Sequence, residues 1–189
     1  DGSTDEIRQM VGEAYMLRAY MHFLLVNLHA PAYTACDPAS TKAIPLKLDS
    51  DVEGILSRNT VAEVYASIVK DLDSADDYLN VDSWQPGYNY RFTTLSVDAL
   101  RSRVMLYMGR WDEARKAADR VLVVKNALSA VGSELPNAYN SAENILALEQ
   151  VMSAQYARAL KVNRDFYRLF SSSDLRRRAY FNQVTSSNI

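Results

Sequence analysis

Apolar residues recur at alternating intervals of three and four near the start of the chain. Ile7, Met10, Ala14, Leu17, Met21, Leu24 and Leu28 follow this rule, which lays them along one stripe of a helix. The spacing predicts a long amphipathic helix, stopped by Pro31, with that stripe turned inward. Periodicity lapses across 32–58, where Pro38, Pro45 and scattered Asp and Ser residues mark a wandering connection. It resumes at Thr60, which can cap a helix while Glu63, three residues on, reaches back to the cap. Val61, Tyr65, Ile68, Leu72, Ala75 and Leu79 then form a second inward stripe.

The segment 80–94 breaks the pattern and gathers Trp84, Pro86, Gly87, Tyr88, Tyr90 and Phe92 into a ring-rich turn region. Ser96 is the expected cap of a third helix, with Val97, Leu100, Val104 and Tyr107 facing inward and Gly109 supplying the left-handed residue that ends it. A fourth helix follows almost at once, with Trp111, Ala114, Ala118 and Val121 on one side, and so short a turn requires the pair to run antiparallel. Gly109, Trp111 and Ala114 match the Gly-x-aromatic-x-x-Ala turn of a tetratricopeptide unit. Asp98 and Arg101 fall where that repeat prefers large apolar residues, so the match is partial. Beyond Lys125 the pattern weakens: the run Ile-Leu-Ala-Leu at 145–148 suits strand or helix, and 164–170 reads as a short helix. The expected fold is mainly α, with antiparallel helix pairs stacked as a tetratricopeptide-like right-handed superhelix and long irregular loops.

Composition sharpens what this helical chain can do. With 189 residues, 48% apolar and 23% charged, it can bury a core, and a net charge of −2 offers no broad electrostatic footprint for nucleic acid. Charge is uneven: 49–82 is rich in carboxylates, while after Val151 come Arg158, Lys161, Arg164, Arg168, Arg176, Arg177 and Arg178 against Asp165 and Asp174. A solvated face or internal ion pairing accounts for both. Cys36 is the single cysteine, so no intrachain disulfide can form. No apolar run reaches the roughly 18 residues of a membrane-spanning helix.

The residues that could carry chemistry do not assemble into a catalytic motif. His22 and His29 lie seven apart without a metalloprotease or nucleophile signature around them, and read as packing or exposed polar positions. Asp71, Asp73, Asp76 and Asp77 sit one or two apart in pairs that do not face each other on a helix, so they read as a wet face. Asp49, Asp51 and Glu53 have acidic spacing reminiscent of a calcium loop but lack its central Gly and its bidentate Glu. No catalytic residue, metal site or cofactor is therefore expected. The candidate ligand-contact residues are Trp84, Tyr88, Asn89 and Tyr90. Sugar rings present apolar C–H faces that stack on electron-rich aromatic faces, while amides bond the hydroxyls. The same aromatics could instead pin the loop to the helices.

Several stretches occur in an order that resembles the SusD/RagB family. They are Glu-Ala-Tyr-Met-Leu-Arg-Ala-Tyr at 13–20 with Pro-Ala-Tyr at 31–33, Ile-Pro-Leu at 44–46 with Arg-Asn-Thr-Val-Ala-Glu-Val-Tyr at 58–65, and Asp-Leu-Asp-Ser-Ala at 71–75. The Tyr-Met-Gly-Arg-Trp-Asp-Glu-Ala core at 107–114, Glu-Asn-Ile-Leu at 143–146 and Asp-Leu-Arg at 174–176 continue the series. His29 and Ala30 stand where a Gly-containing turn is usual. The resemblance implies a surface-exposed outer-membrane lipoprotein that captures oligosaccharide or another nutrient for a SusC-like TonB-dependent transporter, binding without turnover. It implies a tetratricopeptide-like scaffold at 1–125 and, at 126–189, the incomplete start of a more irregular portion, with the lipid anchor outside this chain. The alternative is a tetratricopeptide-type adaptor gripping another protein, which needs several regular repeats where the sequence offers one recognisable unit. A glycan-cleaving enzyme would need two carboxylates converging in a cleft.

Overall fold

The computed structural model describes residues 2–51, 53–85, 87–130, 141–148 and 161–181. The chain divides into two compact units, 1–126 and 127–189. Among the described residues there is no strand, only an isolated antiparallel bridge between Lys42 and Thr60, so the expected mainly α fold is what forms.

In the first unit, helix α1 spans Thr4–His29, α2 Val61–Tyr78, α3 Thr94–Tyr107 and α4 Trp111–Val124. Three of these begin at capping boxes: Ser3 with Glu6, Thr60 with Glu63, and Thr93 with Ser96. Each box satisfies backbone N–H groups that a first turn leaves unbonded. Ser96 is thus not the cap but the residue that reaches back to it, since Thr93 takes the cap and α3 starts three residues earlier than expected. Gly109, at φ 74°, ends the α3 turn as anticipated.

Helices α1 and α2 pack as one pair and α3 and α4 as another, with α2 leaning on α3. Cross-links fix their direction. Arg8 Nη2 donates to the Asp77 carbonyl at 2.7 Å and the Tyr65 hydroxyl to Asn27 Oδ1 at 3.2 Å, so α2 runs opposite to α1. Ser102 Oγ donates to the Ala114 carbonyl at 3.0 Å, and Arg120 pairs with Asp98. The α2 stripe is buried throughout: Val61, Tyr65, Ile68, Leu72, Ala75 and Leu79 form the core with Val97, Leu100 and Val104.

The expected α1 stripe is on the wrong side. Ile7, Met10, Ala14, Leu17, Met21, Leu24 and Leu28 are all exposed, and the helix buries Gln9, Gly12, Met16, Ala19, His22, Phe23 and Val26. Small residues explain the choice: a Cβ on Gly12 would lie 2.8 Å from the Leu79 backbone nitrogen, so α2 approaches only because that atom is missing. Trp111 also departs from expectation, at 64% exposed, because Ala114, Ala117 and Val121 form the inner side of α4. Tyr107 is part-exposed too, its ring edge-on to Phe23 at 5.1 Å.

In the second unit, α5 spans Arg164–Arg168 and α6 Leu175–Ala179, capped by Asn163 and Asp174. The rings of Phe166, Tyr167, Phe170 and Phe181 meet edge-on or tilted at 5.2–6.3 Å. Ile145 to its neighbours through 148 form neither strand nor helix. Of the basic residues, Arg168 pairs with Asp165 and Arg176 with Asp174, whereas Arg158 lies outside the described residues.

Candidate functional site

The segment joining α2 to α3 carries the candidate residues, and a buried glutamine holds it in place. Gln9 Oε1 accepts from the Asn80 and Val81 backbone N–H groups at 3.0 and 3.1 Å. Its Nε2 donates to the Phe92 carbonyl at 3.0 Å and to Glu13 Oε1 at 2.8 Å. One amide on α1 therefore ties both ends of the segment, through its acceptor and one donor hydrogen, while the other donor bonds Glu13 on the same helix. Asn80 Nδ2 adds a bond to the Asp5 carbonyl at 3.0 Å. Thr94 N–H closes on the Val81 carbonyl at 3.0 Å, with Thr94 Oγ1 on Asp82 at 2.7 Å.

Trp84 belongs to this anchorage. Its indole Nε1 donates to the Phe92 carbonyl at 3.0 Å, and the Arg91 guanidinium lies 3.9 Å from the ring centroid. Arg91 is itself paired with Glu13 at 2.9 Å. A cation over an indole face is attracted by the ring quadrupole, so one face of Trp84 is already engaged by the protein. Tyr88 and Tyr90 differ: each is 51% exposed, and their rings stand side by side with centroids 6.1 Å apart and planes 35° from each other. The backbone beneath them is turned by two tight bends, Tyr88 N–H to the Gln85 carbonyl and Arg91 N–H to the Tyr88 carbonyl, both 3.0 Å. Gly87 sits in the first at φ 96°, with open space where a Cβ would point, so its value there is the left-handed backbone it permits. Asn89 is half-buried between the tyrosines. Pro86 lies outside the described residues.

All four sequence-picked residues thus share one loop, but Trp84 faces inward to hold it while Tyr88 and Tyr90 face water. Gln9, Glu13 and Arg91 were missed. Gln9 had a signal, being polar at a position that continues the face of Gly12, Met16 and Ala19; its partners lie about 70–80 residues away in sequence and no local pattern reveals them.

Other polar groups support the scaffold. Asp71 was expected on a wet face, yet it is buried, accepting from Arg18 Nε and Nη2 at 2.8 and 2.5 Å. That fork fits a carboxylate bidentately, and the bond to Asp71 raises the Arg18 pKa. Asp73 and Asp76 remain exposed and share Arg101. His22 is buried beside this pair with Nδ1 unbonded, and burial lowers its pKa, opposed by Asp71 and assisted by Arg18. It is a packing histidine. Among the described residues no group of three or more His, Cys, Asp or Glu could hold a metal ion, and no helix is long and apolar enough to cross a membrane. Lys47 holds Asp49 at 2.7 Å, and the Asp51 and Glu53 backbone N–H groups bond back to the Asp49 and Asp51 carboxylates.

Comparison with known proteins adds to this geometry. The profile of a family described as SusD-like, starch-binding and associating with the outer membrane, matches residues 1–106. A SusD superfamily protein from Bacteroides thetaiotaomicron is similar at 29% identity and TM-score 0.61 over 69% of this chain and 28% of its own. A SusD-like carbohydrate-binding protein from Bacteroides vulgatus shares the fold at 22% identity and TM-score 0.75, over 94% of this chain and 41% of its own. A laminarin-binding SusD-like protein shares it at 24% identity and TM-score 0.54, over 72% and 27%. The chain spans less than half the length of each of these structures. No curated protein matches it.

Proposed function

Because the chain belongs to the SusD-like family of starch-binding proteins associated with the outer membrane, we propose that it is part of a surface subunit that binds a glycan without turning it over. The observation that carries this reading is the pair of water-facing rings, Tyr88 and Tyr90, on a loop bolted to α1 through Gln9 and Arg91. Two adjacent rings with fixed tilt make a platform on which neighbouring sugar units can stack, and rigid mounting lowers the entropy lost on binding. Asn89 between them supplies an amide for hydroxyl groups. The carboxylates that the described contacts tie to this loop serve its mounting: Glu13 pairs with Arg91 and accepts from Gln9, and Asp82 accepts from Thr94.

In this proposal 1–125 is a right-handed tetratricopeptide-like scaffold, and 126–189 belongs to a more irregular portion. The protein is held at the outer membrane, and the bound oligosaccharide passes to a SusC-like TonB-dependent transporter.

Affinity electrophoresis of the protein against a panel of polysaccharides, with released reducing ends assayed in parallel, tests the reading. Retardation by at least one glycan with no rise in reducing ends supports it; product formation, or no retardation by any, contradicts it. Mild-detergent purification from the native membrane tests the transporter, which should appear as a large β-barrel companion.

A further inference from the structure

The segment 80–94 carries two charged residues, Asp82 and Arg91. Helix α1 meets it with Asp5, Gln9 and Glu13, which stand four apart on one helical row. The Asp5 carbonyl accepts from Asn80 Nδ2, Gln9 ties both ends, and Glu13 takes the Arg91 guanidinium. Three carboxylates, those of Asp5, Glu13 and Asp82, are thus gathered at the segment with one cation, an excess of two negative charges. That cation adjoins the platform: Arg91 follows Tyr90, and its backbone N–H donates to the Tyr88 carbonyl at 3.0 Å. Its guanidinium is nonetheless withheld. Glu13 accepts from Nη2 at 2.9 Å and from Nε at 3.3 Å, and the Trp84 ring lies 3.9 Å from it. Both side chains still reach water, at 28% and 20% exposed, so a charge left unbalanced there would act on a ligand at the rings.

Arginine is the side chain that recognises a carboxylate or sulfate with two parallel bonds, and here that fork already holds Glu13. An acidic sugar stacked on Tyr88 and Tyr90 would therefore meet no open guanidinium in the segment, and it would enter the field of the surplus carboxylates, which reaches about 8 Å at physiological ionic strength. A neutral sugar is indifferent to both effects, because its hydroxyls need only hydrogen-bonding groups such as the Asn89 amide and its C–H faces need only rings. We propose that Glu13 is a specificity-determining residue: by holding Arg91 it reserves the tyrosine platform for glycans that bear no acidic groups. This rests on the glycan reading above and names the class of glycan that the same site takes.

Affinity electrophoresis against starch, laminarin and mannan as neutral glycans, and polygalacturonate and alginate as acidic ones, separates the two claims. Retardation by a neutral glycan, with weaker retardation by both acidic ones, is the expected result. Equal or stronger retardation by an acidic glycan overturns the proposal and leaves the glycan reading standing; retardation by none overturns the reading, and the proposal falls with it. The residue is tested by titrating the best neutral glycan, and the same glycan with part of its C6 hydroxyls oxidised to carboxylates, into the wild type and into Glu13→Gln. Glutamine keeps the shape and an acceptor but removes the charge, and any loosening of the loop weakens both forms alike. The ratio of oxidised to neutral affinity should rise about fivefold in Glu13→Gln, and the rise should fade in about 0.5 M salt and vanish when Tyr88→Ala and Tyr90→Ala are added. An unchanged ratio overturns the proposal, as does a rise that persists without the tyrosines. Should Glu13→Gln not fold, Asp82→Asn on the exposed side of the segment decides: its ratio should rise in the same salt-sensitive way, and an unchanged ratio overturns the proposal.

Discussion

The Arg91 guanidinium lies 3.9 Å from the centre of the Trp84 ring while its other edge holds Glu13 of α1 at 2.9 Å. This one side chain links the aromatic loop to the first helix, and the indole is thereby spent on support. Arg91→Ala should therefore loosen the loop without unfolding the helices, costing about 1 kcal/mol from the lost cation–ring and ion-pair contacts. In a Trp111→Phe background, so that Trp84 alone emits, the fluorescence of Arg91→Ala should shift to longer wavelength as water reaches the ring. An unchanged spectrum would show that Arg91 does not hold it.

Gly12→Ala reverses an ordinary rule. Alanine is the better helix former, yet its Cβ would meet the Leu79 backbone nitrogen at 2.8 Å and Leu79 side-chain carbons at 2.7 and 2.9 Å. Backbone cannot step aside as a flexible side chain can, so the substitution should destabilise the protein by about 1–3 kcal/mol, read as a lower midpoint in urea. A stabilised variant would mean that α1 and α2 are not this close.

Arg18 and Asp71 should behave unequally when broken and when replaced. Arg18→Ala leaves a buried carboxylate uncompensated and should cost roughly 2–4 kcal/mol, at the lower end because Arg18 is partly solvated. The double variant Arg18→Met with Asp71→Leu should recover most of that loss. Urea midpoints of the single and double variants check both statements.

His22 predicts a pH dependence with a definite sign. Its folded pKa is lowered by burial, so the unfolded chain takes up the proton first as the medium is acidified. The stabilisation is complete above about pH 6.5, the unfolded value, and declines as pH falls below it toward the folded value. Unfolding free energy measured from pH 8 to 5 should show this decline, and His22→Leu should flatten it. A decline equally steep in the variant would assign it to other groups.

The second helix could be read from sequence alone because its long apolar residues all lie on one face and its capping box is local. The first could not be oriented. Both faces of α1 are apolar, and the eye follows Ile7, Met10, Leu17 and Leu24, whereas the core selects the face where Gly12 and Ala19 let α2 come near and where Gln9 and His22 are buried. Helix period reports that a face is apolar but not which neighbour arrives first. The loop shows the same limit: its rings were visible as candidates, but the division between Trp84 as anchor and Tyr88 and Tyr90 as open surface depends on Arg91, Phe92 and Gln9 meeting in space. Trp111 failed for a related reason, since alanines at 114 and 117 fill the narrow contact with α3 and leave the large ring outside.

Calorimetric titration of a glycan found by the panel into the wild type and into Tyr88→Ala/Tyr90→Ala, with thermal unfolding recorded for both, tests the binding platform most directly. The double variant should unfold at the same temperature and bind about tenfold or more weakly, as expected when central aromatic contacts are removed. Equal affinity in two equally stable proteins would contradict the assignment of this loop as the sugar-binding surface.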